Sequence, residues 1–81
     1  MVYMWQEEKG KAFYRFQTDD KLMAGRMKRR KRFSLTAKGW NCELWVYIAK
    51  FPRPIRAKAA LKSLTKKDVF FDKNEDIFYA G

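Results

Sequence analysis

The stretch Glu43–Phe51, ELWVYIAKF, decides the fold, because two different sets of apolar side chains alternate along it. Successive side chains of a β-strand point to opposite faces of the sheet, so both faces of this strand require cover or a ligand. The pattern predicts a central strand with helices packed on its aliphatic face. The aliphatic set is Leu44, Val46 and Ile48. The mostly aromatic set is Trp45, Tyr47 and Phe51.

Further strands and two helices are predicted on either side of this stretch. Alternation with a period of two predicts strands over residues 12–18 and 32–38, and a hairpin formed by VFFD and IFYA near the C-terminus. Thr18 and the two aspartates after it favour a helix start, followed by KLMAGRMKRR. Pro54 suits the first turn of a second helix, PIRAKAALKSLT.

The order strand, helix, strand, strand, helix, strand predicts an α+β sandwich of the ferredoxin-like, split β-α-β type. Two helices would cover one face of an antiparallel sheet, and the C-terminal hairpin would add an extra strand. A turn at Gly39–Asn41 is predicted to join two strands that pair as an antiparallel hairpin. The alternative is another small α+β sandwich with a meander. A chain of 81 residues is expected to form a single domain, in which residues 1–11 are an arm or an added strand.

Positive charge is concentrated in the middle of the chain. The net charge is +10, and residues 21–66 contain fourteen basic side chains and one acidic side chain, Glu43. Such a concentration of one sign favours a polyanionic partner, whereas the alternative is a solvated surface that keeps the protein soluble.

The strongest local signal is the run RMKRRKR, in which only Met27 is uncharged. Guanidinium groups match the geometry of phosphate oxygens, so the run predicts nucleic-acid contact, or else a nuclear localisation signal. Cations near a helix C-terminus are also favoured by the helix dipole alone. The basic residues of the run are Arg26, Lys28, Arg29, Arg30, Lys31 and Arg32.

Sorting the strand side chains by face predicts a surface on which bases stack while phosphates are held at the margin. The prediction assumes that the aliphatic side of the central strand lies under the helices. The core would then contain Tyr14, Phe16, Phe33, Leu35, Leu44, Val46 and Ile48. The open face would contain Phe13, Arg15, Gln17, Arg32, Ser34, Thr36, Lys38, Trp45 and Tyr47.

This predicted face resembles the platform of the RNA recognition motif family, whose third strand also carries two aromatic residues two positions apart. Trp45 and Tyr47 match that pair here, with Phe13 as the partner on the first strand. The basic residue and glycine that open the family's motif are replaced by Cys42 and Glu43. The alternative is that Trp45, Tyr47 and Phe51 form a second small core under the N-terminal arm, a homodimer contact or a protein-binding surface.

Enzymatic activity is not expected, because the chain has no histidine, one cysteine and no glycine-rich phosphate loop. No metal or other cofactor is expected either. The sequence has no secretory or membrane signal, which predicts an intracellular protein, cytoplasmic or nuclear, in a cell or a virus-infected host.

Two function classes are left. The first is a small basic protein that binds DNA or RNA, single-stranded or duplex. The second is a protein-interaction or inhibitor module, of a kind that viruses and mobile elements produce, whose aromatic sheet face docks on an acidic partner or on a second copy.

Overall fold

A computed structural model of the protein describes residues 1–38 and 43–81, apart from the side chain of Lys38. The elements in these residues are β1 (Val2–Gln6), β2 (Phe13–Thr18), α1 (Lys21–Lys28), β3 (Phe33–Lys38), β4 (Trp45–Lys50), α2 (Pro54–Thr65), β5 (Phe70–Asp72) and β6 (Ile77–Ala80). The turn predicted at Gly39–Asn41, Cys42 and the Lys38 side chain, a predicted phosphate ligand, lie outside the described part.

The six strands form one antiparallel sheet in the order β3-β4-β2-β1-β6-β5. The α+β class is confirmed, with two helices and an antiparallel sheet. The ferredoxin-like strand order is not confirmed, because β1 lies between β2 and β6, whereas in that fold the last strand would pair directly with β2. Strands β2 and β4 are neighbours, and β5 and β6 form a hairpin, as predicted.

Strand β1 is an interior strand because its side chains alternate as those of β4 do. Val2 and Met4 are fully buried on the helix side, and Tyr3 and Trp5 are half-buried on the opposite side. In register, Val2 lies opposite Thr18 of β2, and the other edge of β1 pairs with β6. The first residues of the chain therefore connect the two halves of the sheet.

The core lies between the two helices and one face of the sheet. Phe16, Phe33 and Phe51 pack in tilted and edge-on arrangements at its centre, with ring centroids 4.8 to 6.2 Å apart. Aromatic pairs in these orientations contribute attraction beyond the burial of their area. The buried apolar side chains are Val2, Met4, Tyr14, Phe16, Ala24, Met27, Phe33, Tyr47, Ala49, Phe51, Ala57, Leu61, Leu64 and Ala80.

The two faces of β4 are the reverse of those predicted from the sequence. Tyr47 and Ala49 are buried under the helices, while Val46 and Ile48 are half-buried on the open face. Tyr47 lies opposite Phe16, a core residue, and Ala49 lies opposite a core aromatic on each neighbouring strand. Because protein interiors are close-packed, the small alanine leaves the space that these large rings require.

Three more residues near the start of β4 and in β3 differ in face or in burial from the prediction. Trp45 lies on the helix side, half-buried and packed against the core, instead of on the open face. Leu35 also points to the helix side but is 46% exposed, and the strand register shifts immediately after it. Leu44 precedes β4 and is only half-buried. The margin of the helix side near β3 is therefore apolar but incompletely covered.

Helix α1 starts where the sequence predicts, and it contains one residue, Gly25, that lowers the stability of the helix. The carboxylate of Asp20 accepts a hydrogen bond from the Leu22 N–H at 2.8 Å, an N-cap that satisfies an unpaired helix donor. Gly25 in the middle of the helix costs about 0.5–1 kcal/mol relative to alanine. The nearest heavy atom to a Cβ at this position would be Arg29 Nη1 at 3.8 Å, so packing does not require glycine here.

Helix α2 has Pro54 in its first turn and ends at Lys66. Lys66 adopts a left-handed conformation with φ of 57°, and its N–H donates to the Lys62 carbonyl at 2.7 Å. A left-handed residue of this kind commonly closes a helix, although glycine is the usual choice. The helix buries Ala57, Leu61 and Leu64 against the sheet.

The reversed faces of β4 predict which of two adjacent substitutions destabilises the protein more. Tyr47→Ala removes a buried ring beside Phe16 and should lower the free energy of unfolding by about 3–5 kcal/mol. Val46→Ala removes a half-buried side chain from the open face and should cost less than about 1.5 kcal/mol. Urea denaturation of both variants tests this, and a larger loss for Val46→Ala would contradict the observed faces.

Candidate nucleic-acid interface

Positive charge is concentrated on the helix side of the molecule. Residues 20–32 and 53–68, which contain α1 and α2, together carry thirteen basic and two acidic side chains. The rest of the chain carries six basic and seven acidic side chains. The helix layer therefore accounts for the whole net positive charge, and a field of one sign raises the local concentration of polyanions.

Two arginines of the basic run connect α1 and the turn after it to α2. Arg26 Nη1 donates to the carbonyl oxygen of Leu64 at 2.7 Å, in the last turn of α2. The last carbonyls of a helix have no partner within the helix, so this arginine satisfies one of them. Arg30 Nη2 donates to Ser63 Oγ at 3.2 Å. Both residues were predicted as phosphate ligands, and both hold the two helices together.

Arg32 also contacts the fold. Its Nη1 donates to the carbonyl oxygen of Lys50 at 3.1 Å, and its guanidinium carbon lies 4.9 Å from the centroid of the Phe51 ring. A guanidinium over an aromatic face is attracted by the ring quadrupole. Arg32 therefore covers the edge of the aromatic core while part of its side chain reaches solvent.

The remaining cations of the basic run, Lys28, Arg29 and Lys31, are exposed. Lys28 is the last residue of α1, Arg29 is its C-cap, and Lys31 lies in the turn that follows, which is closed by a hydrogen bond from the Phe33 N–H to the Arg30 carbonyl oxygen at 3.1 Å. Within residues 1–38 and 43–81 their side chains have no ion-pair or hydrogen-bond partner. These three side chains are the best placed of the run to meet a phosphate backbone. We refer to them as the cationic turn.

The cationic turn lies beside α2. A depression of about 380 Å³ is lined by Lys31 from the turn and by Ala60 from α2. Arg56 is exposed one helical turn before Ala60, on the same side of α2, since residues four apart share a helix face. The turn and this side of α2 therefore form one continuous basic surface.

Arg15, a predicted phosphate ligand on β2, is already paired on the open face. Its guanidinium donates from Nε and Nη2 to the two carboxylate oxygens of Glu7, the second at 2.8 Å. These hydrogen bonds hold the pKa of Glu7 below its usual value and raise that of Arg15. A two-point pair with a carboxylate occupies the donors that would otherwise face a phosphate.

The open face carries aromatic residues that differ from the predicted ones. Of the predicted three, only Phe13 lies there, 45% exposed, with the Lys50 ammonium 5.9 Å from its ring centroid. The others come from strands β1, β5 and β6: Tyr3, Trp5, Phe70 and Tyr79.

Three of these rings form a row across neighbouring strands. Tyr3 lies opposite Tyr79 with ring centroids 6.4 Å apart, and Tyr79 stacks on Phe70 at 5.7 Å. Such cross-strand pairs stabilise a sheet. The aromatic pair matched to the RNA recognition motif platform faces the helices instead, so that platform is not formed as predicted. The alternation in MVYMW, aliphatic against aromatic, is the signal that predicts the two β1 members of the correct set, Tyr3 and Trp5.

A cleft of about 570 Å³ opens between α1 and the β3–β4 edge of the sheet. Its apolar side is formed by Leu35, Trp45 and other residues of β3 and β4, and Gly25 lies in its helical wall. Lys21 and Lys28, the first and last residues of α1, line the cleft as well. The cleft therefore combines an aromatic floor with two cations, on the same side of the molecule as the cationic turn.

Two kinds of feature are absent from residues 1–38 and 43–81. No group of three histidine, cysteine, aspartate or glutamate side chains is arranged to hold a metal ion in that part of the chain. No helix there is long and apolar enough to cross a membrane.

Comparison with protein-family models, with curated proteins and with solved structures found no significant match for this chain.

The contacts of the basic run predict that its arginines differ in their effect on folding. Arg26→Gln removes the donor to the last turn of α2 and should lower the free energy of unfolding by about 1–2 kcal/mol. Arg29→Gln changes an exposed side chain of the same run and should alter the free energy of unfolding by less than about 0.5 kcal/mol. Thermal and urea denaturation compare the two variants. Equal stability would show that the Arg26 contact contributes little.

Proposed function

We propose that this protein binds nucleic acid through the basic helix side, with the cationic turn and the adjacent side of α2 as the main contact. The observation that carries the proposal is the distribution of charge: thirteen basic and two acidic side chains lie in and around the helices, against six and seven elsewhere. A phosphate backbone is the polyanion that an extended cationic surface of this kind fits best.

The charge distribution favours the helix side over the aromatic sheet face. On the sheet face Arg15 is paired with Glu7, and a hollow of about 720 Å³ is bordered by Glu75 and Asp76. Carboxylates beside a hollow repel phosphates, whereas the cationic turn has no acidic partner among the described residues. The ligand we propose is DNA or RNA, which fits an intracellular setting.

Three lysine and arginine contacts should appear in the salt dependence of binding. Replacing Lys28, Arg29 and Lys31 together with glutamine should leave the fold intact, since these side chains are exposed and have no hydrogen-bond or ion-pair partner in the described part. Each lost phosphate contact should reduce the slope of log affinity against log salt concentration by roughly 0.7–0.9. Fluorescence anisotropy with labelled DNA and RNA over a range of salt concentrations measures this slope.

The matched control is the replacement of Lys9, Lys11 and Lys73 with glutamine. These three lysines are exposed and lie in the β1–β2 and β5–β6 connections. Their replacement removes the same total charge as the triple variant of the cationic turn. A general effect of net charge would weaken binding equally in both triple variants. Equal slopes for the two variants would exclude the cationic turn as the contact, and lack of binding by the unaltered protein would overturn the proposed function.

We propose as a second candidate that the open sheet face docks a protein, most simply a second copy of this chain. The row of Tyr3, Tyr79 and Phe70 lies on this face, where the two tyrosines are half-buried and Phe70 is 57% exposed. Exposed apolar patches of this kind commonly mark protein contacts. A face with balanced charge is also the one on which two strongly basic copies would repel each other least.

Two neighbouring phenylalanines of β5 test the second candidate. Phe70→Ser alters the open face, whereas Phe71→Ser alters the helix side, where Phe71 lies against Phe78. If two copies associate through the sheet face, Phe70→Ser should shift the molecule toward monomer in sedimentation velocity, and Phe71→Ser should not. A monomeric parent protein at high concentration would refute self-association.

A further inference from the structure

The cleft between α1 and the β3–β4 edge has the features of a site for a planar, anionic ligand. Trp45 is half-buried in its floor, and Leu35 is 46% exposed beside it. Aromatic side chains attract the flat faces of nucleobases. Lys21 and Lys28, at opposite ends of α1, supply positive charge at the cleft, where a ligand's phosphates would lie.

Gly25 provides an independent observation. This glycine is the only interior residue of α1 that lacks a side chain, and it lines the cleft. It lies in a regular helix, and outside the helix backbone and the adjacent residues the nearest heavy atom to a Cβ there would be Arg29 Nη1, at an ordinary contact distance of 3.8 Å. Neither backbone conformation nor crowding explains a glycine at a position where alanine would make a more stable helix. The absent side chain leaves space in the wall of the cleft.

The cleft is also continuous with the proposed binding surface. Lys28 lines the cleft and belongs to the cationic turn, so a backbone that crosses the turn passes the mouth of the cleft. A phosphate at Lys28 would bring the attached base within reach of the aromatic floor. Bases of a duplex are stacked and paired, so only an unstacked base can enter.

We propose that this cleft binds one unstacked base of a single-stranded nucleic acid, with the neighbouring phosphates on Lys21 and Lys28. This inference rests on the proposed function and adds to it a preference for single strands. The base stacks at Trp45, and Gly25 provides the room beside it. The combination of aromatic floor and cations also suits an acidic peptide with an aromatic residue, and the experiment separates the two.

The test uses Gly25→Leu, which fills the cleft from its wall, and Gly25→Ala, which reports on the helix. The probes are an oligothymidylate dodecamer, an abasic strand with the same number of phosphates, and a duplex of the same length. Gly25→Leu should weaken binding of the oligothymidylate about tenfold and leave binding of the abasic strand and the duplex unchanged. Ala59→Leu, at an exposed position of α2, is the matched control and should change none of the three.

Stability and fluorescence distinguish a filled cleft from a damaged fold. Gly25→Ala should raise the melting temperature by roughly 2–8 °C, because it removes a glycine from a helix interior. In a variant with Trp5→Phe and Trp40→Phe, Trp45 is the sole tryptophan, and oligothymidylate should quench its emission while the abasic strand should not.

Equal affinity for the oligothymidylate and the abasic strand would overturn the cleft proposal, and so would unchanged oligothymidylate binding by Gly25→Leu. Tighter binding of an acidic, tyrosine-containing peptide than of the oligothymidylate, lost in Gly25→Leu, would assign the cleft to a protein ligand instead. None of these outcomes changes the salt dependence of binding that is expected from the cationic turn. Failure of the proposed function appears separately, as lack of binding of all three nucleic-acid probes by the unaltered protein.

Discussion

The pairing of β1 with both β2 and β6 is the constraint on which the rest of the structure depends. On one side it extends the β3-β4-β2 part of the sheet, and on the other it provides the only strand pairing between that part and the β5–β6 hairpin within the described residues. The buried side chains of β1, Val2 and Met4, also lie under the helices. Both the core and the row of aromatic rings on the open face are therefore continuous through this strand.

The separation of the two surfaces follows from this arrangement. Helices cover one side of the sheet only, so their exposed sides carry most of the cations, and the other side of the sheet keeps its aromatic residues with few charges. Exposed like charges more than about 10 Å apart are largely screened from each other at moderate salt, whereas Lys28, Arg29 and Lys31 lie within four consecutive residues. Bound phosphate would relieve that repulsion.

The elements and the class of the fold could be predicted from the sequence, because alternation and helix-start residues act locally. The orientation of β4 could not, because it depends on which neighbour each side chain meets. Val46 and Ile48 are typical core residues, yet the rings of Phe16 and Phe33 select Tyr47 and Ala49 for the core. The charge of the basic run was evident, but the contacts of Arg26 and Arg32 depend on a tertiary arrangement that no local pattern contains.

The pairing of Val2 with Ala80 has a consequence for how the molecule folds. It joins residues from opposite ends of the described chain, so the entropy of closing a very long loop is lost before these contacts form. Chains dominated by such distant contacts fold slowly. Before β6 pairs with β1, one edge of β1 exposes unpaired amide groups beside Tyr3 and Trp5. This combination promotes strand pairing between molecules. Nascent or partly unfolded molecules are thus the species most prone to aggregate.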